Sequence, residues 1–165
     1  MRFFLFAASV LAGDAFQLNA LFSDNMVLQS GDERAAVYGT GAPHENVTIA
    51  RSFPSGTSDR FSVSVGSDAS FYTALPMPAP GESLTSITLR VSNTTHAVTI
   101  SNVTYGEVIL CSGQSNMFLS VSATFDANTT MAGSYPNIRL FAVTTANAST
   151  PQSDFVPNPT HNVDV

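Results

Sequence analysis

The chain has 165 residues, of which 44% are hydrophobic, with a formal net charge of −6 at pH 7. That apolar content is enough to build a core and argues against disorder as the default. Only 11% of residues are charged and none is lysine, so the balance speaks against a phosphate-binding patch and a nucleic-acid partner.

Met1-Arg2 followed by the apolar run Phe3 to Ala12 has the basic start and core of a signal peptide, with Gly13 and Ala15 as small residues at cleavage positions. Residues 1–15 are read as that leader; a buried N-terminal strand or helix is the other reading. The run is shorter than the roughly 20 residues a bilayer span needs, so no span is expected after cleavage. Sequons at Asn46, Asn93, Asn102, Asn128 and Asn147 agree with a secreted or lumenal (lysosomal or extracellular) glycoprotein.

Residues 16–103 read as an antiparallel β-sandwich. Short β-type runs begin near Met26, Ala35, Val47, Phe61, Phe71, Ile87 and Ala97. Two of them, Phe61 to Val65 and Ile87 to Val91, alternate apolar and polar, which means one face buried and one wetted. The breaks at Gly39 to Pro43, Pro54 to Gly56, Gly66 to Asp68 and Pro76 to Gly81 supply turn chemistry. The pattern leaves Greek-key and meander order open.

Residues 104–165 change character. Glu107 to Cys111 is a continuous apolar run of the kind covered on both faces in a parallel sheet. A turn at Ser112 to Met117, a helix through Leu119 and Val121, and a second strand at Ile138 to Val143 would begin an α/β domain that about 60 residues cannot complete. The tail after Ser149 is expected to pack poorly. Cys111, the one cysteine, fits a buried strand end; a partner cysteine beyond this sequence is the rival reading.

A serine in a sharp turn between a strand and a helix has its hydroxyl held at the sheet edge, with backbone N–H groups aimed at any oxyanion formed there. Ser115 sits in such a context, Gly113 lets the backbone turn, and Asn116 falls in the first helical turn. An ordinary polar loop fits the bare Gly-x-Ser spacing as well.

Gly106 to Met117, reading GEVILCSGQSNM, closely resembles the nucleophile block of the sialate O-acetylesterase family. Leu21 to Gln29 resembles that family's N-terminal signature and Tyr135 to Phe141 a following strand, in the same order and spacing. The resemblance implies a β-sandwich followed by the N-terminal part of an SGNH-type hydrolase domain, acting on O-acetylated sialic acid or another acetylated carbohydrate. It implies Ser115 as nucleophile and, through its N–H, as one oxyanion-hole donor, with Gly113, Gln114 and Asn116 supporting the turn.

The family carries tryptophan where this chain has Tyr38 and Ile109, and its base comes from an Asp-x-x-His pair that this sequence does not contain. His161-Asn162-Val163-Asp164 runs in the reverse order, and His44 and His96 read as surface residues. The expectation is therefore a carboxylic ester hydrolase fragment, inactive by itself; the alternative is a non-catalytic carbohydrate-binding or interaction module. No cofactor is expected, since three scattered histidines and one cysteine give no metal-ligand spacing.

Overall fold

A computed structural model describes residues 16–31, 34–143, 147–152, 154–155 and 163–164. The leader reading on residues 1–15 and His161, read as a loop histidine in the reverse order of an Asp-x-x-His pair, lie outside the described residues.

The alternating runs form strands and extend a few residues beyond their apolar centres. They are β1 (Gln17–Leu18), β2 (Val27–Gln29), β3 (Ala35–Thr40), β4 (Asn46–Ser52), β5 (Ser58–Ser64), β6 (Ser70–Leu75), β7 (Ile87–Ser92) and β8 (Ala97–Gly106). Strands β1, β3 and β6 make a three-stranded sheet, and the order β2-β8-β7-β4-β5 makes a five-stranded one. Among β1 to β8, only β4–β5 and β7–β8 are hairpins between neighbours within one sheet; the other links change sheet, which rules out a meander. One pairing departs from the antiparallel expectation, because β2 runs parallel to β8. Gly39 and Thr40, read as turn residues, belong to β3.

Both sheets contribute their alternate residues to one core. Val37, Phe71 and Leu75 from the smaller sheet meet Val47, Ile49, Leu89, Val91, Ile100 and Val103 from the larger. Period-two alternation pins this register, because a slip by one residue would turn every core side chain outward. Inside the same layer lies a charge. Arg51 occupies an inward position of β4 at 1% exposure. It pairs with the Asp59 carboxylate, donates to the Pro76 carbonyl (2.6 Å) and the Tyr105 hydroxyl (2.5 Å), and lies against the rings of Phe53, Phe61 and Tyr105. Burial lowers the pKa of the guanidinium, but Asp59 and Tyr105 more than offset this and raise it overall.

The pairing of β7 with β8 shifts between Ile87 and Leu89: Ile87 faces Val103 and Leu89 faces Ile100. Strand β8 thus carries one residue more than its partner, a β-bulge, and Asn102 absorbs it at φ 54°. Asparagine tolerates this left-handed conformation better than most residues. The bulge interrupts the alternation, so that Ser101 and Asn102 are both exposed.

Beyond Gly106 the expected parallel α/β start is not formed among the described residues. Residues 107–114 have no regular structure, and Val108, Ile109 and Leu110 are 53%, 74% and 91% exposed. A continuous apolar strand needs neighbours to hydrogen-bond and layers to cover it, and no described strand pairs with this one. Cys111 is accordingly exposed rather than buried. The expected helix through Leu119 and Val121 is replaced by two 3₁₀ turns, Ser115–Phe118 and Val121–Ala123. A short helix, α1 (Ala127–Ala132), follows where no helix was expected. Of the run at Ile138 only β9 (Arg139–Leu140) is a strand, antiparallel to β10 (Val163–Asp164).

Besides the pairing of β10 with β9, the tail is better anchored than expected at Asp154. Both oxygens of Asp154 accept from the Ala20 N–H at 3.1 Å, and the Phe155 ring meets Phe141 edge-on.

Candidate active site around Ser115

The chain leaves the sandwich at the end of β8 and is guided for two residues. The Ser30 N–H donates to the Gly106 carbonyl at 2.8 Å, and the Val108 N–H donates to the Gln29 side-chain oxygen at 3.0 Å. Ser115 then opens the first 3₁₀ turn, whose closing bond runs from the Met117 N–H to the Gln114 carbonyl at 2.9 Å. Asn116 lies in that turn as expected, and the Leu119 N–H donates to its carbonyl.

Gly113 plays a different part from the one its position suggested. Its φ is not left-handed; instead a Cβ there would lie 2.5 Å from Cγ of Met117, so glycine leaves room for the Met117 side chain to fold back over the turn.

Ser115, Gly113, Gln114 and Asn116 are all exposed, and the Ser115 side chain makes no hydrogen bond among the described residues. Neither described histidine approaches it. His96 bonds through Nδ1 to the Thr95 hydroxyl at 2.8 Å in the β7–β8 hairpin. That hairpin is at the far end of β8, whose ten residues span about 30 Å, from the point where the serine-bearing segment departs. His44 occupies the β3–β4 turn at φ 66°. Among the described residues the turn residues come together and no histidine hydrogen-bonds to Ser115. Among the described residues there is no cluster of metal-ligating side chains, and no helix is long and apolar enough to cross a membrane.

The three stretches that carry the family resemblance do meet. The Arg139 guanidinium donates to the carbonyls of Asn25 (3.1 Å), Met26 (3.2 Å) and Asn102 (2.6 Å), and to the Asn102 side-chain oxygen at 3.4 Å. Asn102 in turn donates to Asn25 Oδ1 at 2.7 Å. With Gln29 holding Val108 and Ala20 holding Asp154, the stretch from Ala20 to Gln29 is where the sandwich holds the chain before and after the segment that carries Ser115. An apolar groove of about 380 Å³ lies in this contact, lined by Phe22, Met26, Leu28, Val108, Leu140 and Phe141 among others, and it does not include Ser115. No residue pattern marks Arg139 as a clamp, because its main partners are backbone carbonyls of Asn25, Met26 and Asn102, far away along the chain.

The sequons differ in accessibility. Asn46, Asn128 and Asn147 are exposed. Asn93 is half-buried, its amide donating to Glu45 at 3.0 Å. At Asn102 the amide is engaged with Asn25, and the hydroxyl of Thr104, which completes the sequon, is buried without a partner among the described residues.

No family model matches the sequence. Among curated proteins, the human sialate O-acetylesterase is 30% identical over 151 residues, covering 88% of this chain and 28% of that protein. The mouse sialate O-acetylesterase is 30% identical over 138 residues, covering 80% of this chain and 25% of that protein. Among solved structures, a carbohydrate acetylesterase from Xanthomonas citri superposes with a TM-score of 0.68 at 27% identity, over 86% of this chain and 31% of that one. The chain therefore spans about a quarter of the length of the curated relatives it matches, and over that span it belongs to the sialate O-acetylesterase family.

Proposed function

We propose that this chain carries the nucleophile of a secreted or lumenal carbohydrate O-acetylesterase, with Ser115 attacking the acetyl carbonyl of an O-acetylated sialic acid or related sugar. The observation that carries this reading is Ser115 itself: exposed, first in a helical turn, and inside the stretch that resembles the family's nucleophile block. In the first step the Ser115 oxygen bonds to the acetyl carbon, its proton passes to a histidine base, and the sugar hydroxyl leaves with that proton. Water then attacks the acetyl-enzyme and releases acetate. The Ser115 N–H, which makes no backbone hydrogen bond among the described residues, is one donor to the oxyanion; such donors are typically worth about 3–4 kcal/mol each.

The base belongs to residues other than the described histidines, so the 165 residues alone are expected to release no acetate. Joined to the downstream portion of a curated relative, which would supply the Asp-x-x-His pair, the chain should release acetate from O-acetylated sialic acid. Ser115→Ala should lower that rate by about 10³-fold or more. Release that persists in Ser115→Ala would overturn the assignment.

A further inference from the structure

We infer that the outward face of the β1-β3-β6 sheet is a binding site for a neutral sugar ring, separate from Ser115. The strand register builds it: Tyr38 faces Tyr72, Thr40 faces Ser70, and Gln17 faces Thr40 across the sheet. Residues two apart on a strand share a face, so while Phe71 and Leu75 enter the core, Tyr72 points outward at 63% exposure. Together with Asn19 and Asp154 these residues line an open groove of about 400 Å³, within the size range of small-molecule sites.

The chemistry of the lining selects the ligand class. A pyranose presents a C–H face that packs on an aromatic ring and a rim of hydroxyls that both donate and accept. Tyr72 offers the exposed ring, and the Gln17 amide and the Thr40 and Tyr72 hydroxyls make no hydrogen bonds among the described residues. Asp154 is fixed by the N–H groups of Ala20 and Phe155 (2.8 Å to the latter), which leaves carboxylate lone pairs for sugar hydroxyls. The Tyr38 hydroxyl is kept protonated by burial and by the nearby Asp154 charge, so it remains a donor. Among the described lining residues Asp154 is the one that carries a charge, and none is a cation. A sugar bearing its own carboxylate would meet like charge there, which favours a neutral ring over sialic acid.

The inference does not depend on the esterase reading, and its test separates the two. Amide shifts of the labelled protein are followed while methyl galactoside, methyl glucoside, methyl N-acetylglucosaminide or N-acetylneuraminic acid is added. At least one neutral glycoside should shift Gln17, Thr40, Ser70 and Tyr72, and N-acetylneuraminic acid should not. Tyr72→Ala should weaken binding about tenfold or more, and Thr40→Val, which keeps strand propensity, should weaken it less. Ser115→Ala should leave the titration unchanged. The site is overturned if no neutral glycoside shifts these amides, if both variants bind as the native chain does, or if N-acetylneuraminic acid binds as well as the neutral sugars.

Discussion

The sandwich and the segment that follows it both contain strongly apolar runs and treat them oppositely. In β7 the residues Ile87, Leu89 and Val91 are fully buried, whereas Val108, Ile109 and Leu110, an equally apolar run some twenty residues later, stand largely in solvent. The difference is one of partners. Strand β7 lies between β4 and β8 with the second sheet beneath it; the 108–110 run has one hydrogen bond to Gln29 and no covering layer among the described residues. Hydrophobicity sets what a residue gains by burial, but only neighbouring elements can deliver it.

Paired substitutions sharpen this contrast most strongly in the core. Leu89→Ala should cost about 2–5 kcal/mol, by loss of transfer energy and creation of a cavity, while Leu110→Ala should stay within about 0.5 kcal/mol of the native chain. Urea denaturation of both variants checks the pair, and equal costs would erase the distinction drawn between the two regions.

Next in size is the buried charge. Asp59→Ala leaves the Arg51 guanidinium enclosed by three aromatic rings without its counter-ion, at a cost of about 2–4 kcal/mol once the partial exposure of Asp59 is allowed for. Thermal melts of Asp59→Ala beside Asp59→Asn measure it, and a melting temperature unchanged in both would show that Arg51 is held by its other contacts.

The Tyr105 phenol is pushed up by burial, with Arg51 opposing the shift. A raised folded pKa means that the folded state keeps its proton when the unfolded chain has lost it. This contribution is therefore complete below the unfolded value of about 10 and declines as pH rises through the folded value. Stability should fall with pH above about 10, and Tyr105→Phe should flatten part of that slope. A slope identical in Tyr105→Phe would assign the alkaline loss elsewhere, Tyr38 being the other tyrosine shifted upward.

A smaller effect on stability than at the buried charge falls at the junction between the regions. Arg139→Leu removes the hydrogen bonds to Asn25, Met26 and Asn102, costs about 1–2 kcal/mol at this half-buried site, and frees the segment from the sandwich. Limited proteolysis should then cut faster between residues 107 and 138 with the sandwich intact. Unchanged cleavage would deny Arg139 its clamping role.

These contrasts also explain what the sequence could reveal. Phe61 to Val65 and Ile87 to Val91 were legible because alternation is a local pattern that the packed sheets then use. Arg51 was not, since a charge at an inward position breaks the apolar pattern and becomes sensible only when Asp59, Pro76 and Tyr105 surround it. The bulge at Asn102 and the two-residue β1 were hidden for the same reason: strand register and edge pairing are set by the partner strand. Ser115 and its neighbours were legible as a motif, and their turn is present. The strand expected before them was not realised, because Glu107 to Cys111 specifies an element whose neighbours are not among the described residues.

Amide hydrogen exchange on the intact chain tests this division most directly. The amides of Ile49, Leu89 and Val91 should be protected to the level of global unfolding, and those of Val108 to Cys111, apart from the Val108 bond to Gln29, should exchange nearly as fast as in an unstructured peptide. Protection at Ile109 and Leu110 comparable to that of β7 would mean that this segment finds its covering layer within these 165 residues, and would contradict the account.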